Sequence, residues 1–190
     1  MSKSNVYELD ANLRARKKCI LAFDPGSVNM GISLVEISKK GTPRVIANAT
    51  MMHPIHDIPS FMAQQRAFVN EVRMWIEQFR PRAIVAERFQ SRGLRGATVE
   101  CVSMMLGILS TFDLPVLFIT ASTWKNQYQK RFGVNLRDVY KEIHTTPHQL
   151  DASLIGHFGL EIALKTKFDL DLDVIIKNVK NTALNGVKRK

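Results

Sequence analysis

Three acidic residues and a histidine stand where strands end and a helix begins. Asp24 closes the apolar run Cys19-Ile20-Leu21-Ala22-Phe23 and is followed by Pro25-Gly26-Ser27, and Glu87 closes Ala83-Ile84-Val85-Ala86. His148 and Asp151, just after Thr146-Pro147, are three residues apart and share one face of a helix. A short apolar run stopped by a Pro-Gly turn reads as a buried strand. A carboxylate at its end needs a hydrogen-bonding partner or a cation. Taken alone, Asp24 reads first as a cap on the amides of Gly26 and Ser27, but the repetition at Glu87 points to a shared site. In α/β sheets ligands gather outside the C-terminal ends of strands, and a helix crossing that edge would bring Asp151 to the other two acids. Three carboxylates in one cleft push one another's pKa values up unless a cation lies among them. Hard oxygen donors favour Mg²⁺ or Mn²⁺, and two such ions about 3.5–4 Å apart can orient a water and steady the leaving oxygen of a phosphodiester.

The charge of the chain points to the same substrate class. Its 190 residues carry 27 Lys and Arg against 17 Asp and Glu, a formal net charge of +10. Such an excess on a small domain favours a polyanion, most often nucleic acid. No basic amphipathic helix with a Trp/Phe/Leu face and no apolar run of some eighteen residues favours a membrane. The two cysteines, Cys19 and Cys101, are too few for a disulfide framework or a zinc site, which fits a cytoplasmic protein. Neither G-x-x-x-x-G-K-[ST] nor G-x-G-x-x-G occurs, so no nucleotide cofactor is expected. Carboxylates in Phe168-Asp169-Leu170-Asp171-Leu172-Asp173 have calcium-loop spacing, but Val174 and Lys180 replace the Gly and Glu such a loop needs.

The positioning elements follow from pattern. Residues 1–17 read as a loose N-terminal arm. The strand ending at Asp24 is followed by the alternating run 30–37, a Lys-Lys-Gly turn and a third strand over 44–49, joined closely enough to form an antiparallel meander. A helix is expected from Ser60 to Pro81, then a strand ending at Glu87, an apolar helix over 97–112 and a fifth strand over 114–119. A basic helix or turn covers 124–131, a short helix 136–143, and a last clear helix runs from Pro147 to about Leu164. The tail beyond Lys165 reads as a basic extension to residue 190. The order is that of a mixed α/β sheet flanked by helices.

The D-P-G-S element after a strand, Glu87 at a second strand end, and His148 with Asp151 before an Ala-containing helix resemble the RuvC family of Holliday-junction resolvases, within the ribonuclease H-like superfamily. The match in order and interval covers residues 18–164, the expected nuclease domain. The resemblance implies a mixed five-stranded sheet with its first three strands antiparallel, and a homodimer that resolves four-way DNA junctions by paired hydrolysis, with two Mg²⁺ ions per active site for which Mn²⁺ substitutes. A broader structure-selective nuclease, or a silent binder of branched DNA, is the alternative. Carried over, Asp24 would bridge both ions, Glu87 hold one and Asp151 the other. His148 stands at a position often occupied by Asp in bacterial members, as a ligand, an aid to water activation or a solvated helix residue. Lys125, in Ala121-Ser122-Thr123-Trp124-Lys125, would neutralise charge at the scissile phosphate.

Trp124 reads as core before base stacking. The stretch Arg88-Phe89-Gln90-Ser91-Arg92-Gly93-Leu94-Arg95 falls where the family meets the junction centre. Phe89 or Gln90 would take the wedging position, and Arg88, Arg92 and Arg95 would meet phosphates or form a solvated loop. Lys130, Arg131 and Arg137 complete the expected DNA-binding set. Met104 and Met105, on the apolar helix that resembles the family's dimerisation element, point in different directions.

Overall fold

The computed structural model describes residues 19–89, 96–143 and 147–183. Five strands form one mixed sheet: β1 (Cys19–Asp24), β2 (Asn29–Ile37), β3 (Pro43–Met52), β4 (Ile84–Arg88) and β5 (Val116–Thr120), in the order β3-β2-β1-β4-β5. β1–β2 and β2–β3 pair antiparallel, whereas β1–β4 and β4–β5 pair parallel. The helices are α1 (Ile58–Phe79), α2 (Ala97–Leu109), α3 (Ala121–Phe132), α4 (Leu136–Glu142), α5 (Pro147–Leu164) and α6 (Leu172–Thr182). Among the described residues no helix is long and apolar enough to cross a membrane.

Side chains alternate across the sheet, and each face buries its own core. Leu21, Phe23, Ile32, Leu34 and Ala86 face α1 and α2, with Phe68, Trp75 and Met105 opposite. Ile20, Ala22, Val35, Val85 and Ile119 face α3 to α6, with Trp124, Tyr128, Leu154 and Phe158 opposite. Phe23 and Ala86 belong to the first face, so Asp24 and Glu87, one residue further on, turn to the second.

Boundaries depart from the sequence pattern where capping intervenes. α1 starts at Ile58 rather than Ser60 because Asp57 Oδ1 accepts from the Ser60 amide at 2.8 Å while Ser60 Oγ accepts from the Asp57 amide at 3.0 Å. Pro59 is harmless in that first turn. β3 extends to Met52, beyond the expected strand, because Asn29 and Met52 still pair. α2 ends at Leu109.

The tail beyond Lys165 holds an ordered amphipathic helix. α6 buries Ile175 and Val179 in the same core as α5, and Asn48 Nδ2 donates to Val179 O at 2.9 Å and Thr182 Oγ1 at 2.7 Å. Asp171, in the acidic run set aside as a calcium loop, caps α6 through the amides of Asp173 and Val174.

α5 is buried along most of its length, and its small residues let it lie against the sheet. A Cβ on Gly156 would meet Val35 Cγ2 at 2.5 Å, and one on Gly159 would meet Val85 Cγ2 at 2.7 Å. His157 lies fully inside, with Nδ1 2.7 Å from Ser153 O, and burial pushes its imidazole down from 6.5 to about 4. As pH falls, the unfolded chain takes up this proton first. The group therefore removes stability progressively from pH 6.5 to about 4, on the order of 3 kcal/mol in all. Other groups titrate in that window, so the measurement is a difference: urea unfolding at pH 7.5 and 4.5 should show a smaller loss for His157→Leu than for the wild type, and equal losses would contradict a neutral buried imidazole.

Candidate active site

The site lies at the C-terminal edge of β1 and β4, which run parallel with Phe23 beside Ala86. Asp24 and Glu87 leave these strands on the α5 side, and the first turns of α5 bring His148 and Asp151 over them. That approach depends on Gly31 of β2, which pairs directly with Asp24. A Cβ on Gly31 would fall 1.9 Å from His148 O and 3.2 Å from Ala152 Cβ. Ser33 and Ser153 then lock the next step with a 2.9 Å hydroxyl contact, and Gln149 Nε2 reaches Thr50 Oγ1 at 3.3 Å.

Each acid has its own protein partner. His148 Nδ1 is 2.8 Å from Asp24 Oδ2. Trp124 Nε1 donates to Glu87 Oε2 at 2.8 Å. Asp151 takes two partners: Lys125 Nζ lies 2.9 Å from Oδ2, and the Tyr140 hydroxyl donates to Oδ1 in a short hydrogen bond. Asp24 and Asp151 are 7% and 6% exposed, so both carboxylates are nearly sealed from water. Burial, with the charges of Asp151 and Glu87 adding to it, pushes Asp24 up from 3.8 to about 7 against the opposing His148 hydrogen bond. Burial also raises Asp151, opposed by Lys125 and Tyr140. Burial alone would lower Lys125, but the Asp151 charge and hydrogen bond outweigh it and raise the ammonium. The hydrogen bond to Asp24 raises His148. The cluster is short of positive charge.

That shortage, together with hard oxygen donors on three elements, suits a divalent cation. The donors are not pre-gathered, however: among the described residues no group of three or more His, Cys, Asp and Glu is already placed to hold a metal ion. The acids are held by Lys125, Tyr140, Trp124 and His148.

The sequence-derived site residues fall into three groups. Asp24, Glu87, Lys125, His148 and Asp151 come together. Arg88 at the end of β4, Lys130 on α3 and Arg137 on α4 are exposed cations. Phe89 is half-buried against the α1/α2 core, and Arg131 is half-buried with its guanidinium 2.7 Å from the buried Glu161, so that pair ties α3 to α5. Gln90, Arg92 and Arg95 lie outside the described residues. Two site residues had no such reading: Tyr140, and the indole N–H of Trp124, whose ring is core as expected. Their sequence signal is weak, because a polar atom on a core aromatic has no periodicity of its own.

No known sequence family and no curated protein matches this chain. Structural comparison does find similar solved structures. RuvC from T. thermophilus in complex with Holliday junction substrate is similar to it with a TM-score of 0.55 at 20% identity, over 74% of this chain and 93% of that one. A second structure of Thermus thermophilus RuvC gives 0.47 at 16% identity over 86% and 90%. The yeast mitochondrial Holliday junction resolvase gives 0.48 at 10% identity over 85% and 82%. The chain has the ribonuclease H-like fold of RuvC: a mixed five-stranded sheet whose first three strands are antiparallel, with helices on both faces.

Gly31→Ala should lift the start of α5 from β2 and cost about 1–3 kcal/mol of stability. Chemical denaturation reads the loss, and an unchanged midpoint would mean that α5 does not depend on this close approach.

Proposed function

We propose that this protein is a metal-dependent endonuclease that resolves four-way DNA junctions as a homodimer. The observation that carries the reading is the convergence of Asp24, Glu87 and Asp151, from β1, β4 and α5, on one sheet edge beside a lysine. The described fold of RuvC, seen in one relative with a Holliday junction substrate, supports the choice of branched DNA. The net charge of +10 supports a polyanion. Exposed Met104 on α2, beside buried Met105, offers an apolar contact for a second copy.

Asp24, Glu87 and Asp151, with His148 beside them, would hold two Mg²⁺ or Mn²⁺ ions, which supply Lewis-acid activation of water and stabilisation of the leaving oxygen when bound. The protein's own residues do the rest. Burial of Asp24 and Asp151 strengthens the charge interactions they make. Tyr140 and Trp124 fix the orientation of Asp151 and Glu87. Lys125 provides a cation for the transferring phosphoryl group. Arg88, Lys130 and Arg137, with Arg92 and Arg95, meet the sugar–phosphate backbone and place the duplex arms.

Wild-type protein should nick a synthetic four-way junction with Mg²⁺ or Mn²⁺, whereas Asp24→Asn and Glu87→Gln should lose cutting and keep junction binding. Tight binding with no cutting by the wild type would leave only a binding protein, and equal cutting of flaps and junctions would broaden the substrate. Junction affinity should also fall steeply between 50 and 200 mM salt, by on the order of 10³-fold or more for six or more phosphate contacts. A flat response would remove the basic surface from the interface.

A further inference from the structure

Lys125 is paired directly with an acid of the site. Its ammonium lies 2.9 Å from Asp151 Oδ2 while Tyr140 occupies Oδ1. Asp151 therefore carries a protein cation on Oδ2 and a hydroxyl donor on Oδ1, so both of its oxygens are taken by side chains of this chain. The lysine is only partly enclosed, with about a third of its side chain exposed, whereas the Asp151 side chain is 9% exposed. The ammonium also lies 4.9 Å from the centre of the Trp124 ring, whose face gives a charge a second resting place. Four rotatable methylenes allow the head group to move without any shift of α3.

We propose that Lys125 is the resident counter-cation of the acidic cluster, and that metal loading requires its release from Asp151, which delivers the same ammonium to the phosphate. The inference rests on the metal-dependent reading above. It sets two properties of one residue against each other. A lysine that only touches phosphate should leave metal affinity alone. A lysine that occupies a metal oxygen should lower that affinity while aiding the cut.

The test is Mn²⁺ binding without DNA, read by the paramagnetic resonance signal of free Mn²⁺, on the wild type, Lys125→Gln, Lys125→Arg and Lys130→Gln. Lys125→Gln should bind Mn²⁺ at least about tenfold more tightly, the change expected when a competing charge leaves a carboxylate, and should nick junctions more slowly. Lys125→Arg, which keeps the charge, should stay within a few-fold of the wild type. Lys130→Gln, which removes an exposed charge from the same helix, should also stay within a few-fold, and a rise matching that of Lys125→Gln would reduce the effect to net charge and overturn the proposal. Equal or weaker Mn²⁺ binding by Lys125→Gln, with a wild type that cuts, would overturn it and leave the nuclease reading intact. Failure of every protein to bind Mn²⁺, with no cutting by the wild type, would end both.

Discussion

Holding like charges together out of water is the constraint around which this molecule is built. Asp24 and Asp151 are almost sealed, and Glu87 is close enough to raise Asp24 further. Removing an ion from water costs several kcal/mol even after relaxation. Each acid is therefore given a donor: His148, Trp124, or Lys125 with Tyr140. Those donors offset part of the cost and leave the cluster short of positive charge. The unusual feature is the placement, since one acid comes from each of two neighbouring strands and one from a helix more than sixty residues further along.

Packing makes that placement possible. The sheet alternation turns Asp24 and Glu87 to the α5 side because Phe23 and Ala86 belong to the α1/α2 core. On β2, Gly31, Ser33 and Val35 present nothing, a hydroxyl and a methyl-bearing side chain to successive turns of α5. On α5, Gly156 and Gly159 answer with missing side chains of their own. A helix set this close to a sheet cannot slide without collision, so the position of Asp151 over Asp24 is fixed by van der Waals contact. The Arg131–Glu161 pair and the docking of α6 on Asn48 hold the far end of that face.

Much of this was legible in the chain because strand-ending acids carry a period and a turn signal. Asp24 and Glu87 follow apolar runs, and His148 and Asp151 share a helical spacing, so their convergence required only a parallel β1–β4 pair. The three-stranded meander was equally plain from its short connections. What escaped was whatever depends on partners distant in sequence. Arg131 looks like any surface cation until Glu161, thirty residues on, is brought beneath it. Tyr140 sits on a short helix with nothing in its neighbourhood to mark it. α6 was hidden by the acidic alternation before it, although Ile175 and Val179 have helical spacing and Asp171 is a good cap. A glycine inside a strand signals close backbone approach, but Gly31 could not name His148 as the neighbour.

Trp124 and Lys125 are adjacent in sequence, yet they serve different acids: the indole reaches Glu87 on β4, and the ammonium reaches Asp151 on α5. One turn of α3 therefore spans the gap between the sheet and the helix that crosses it. That turn has little freedom of its own. β5 ends at Thr120 and α3 begins at Ala121 with no intervening loop, and β5 is registered against β4 with Ile119 beside Glu87. A shift of β5 along β4 by one residue would turn its inward side chains to the opposite face and carry both α3 residues away from their acids. The strand farthest from β3 thus sets the site as firmly as the strands that bear its carboxylates, because it fixes the turn that holds two of them.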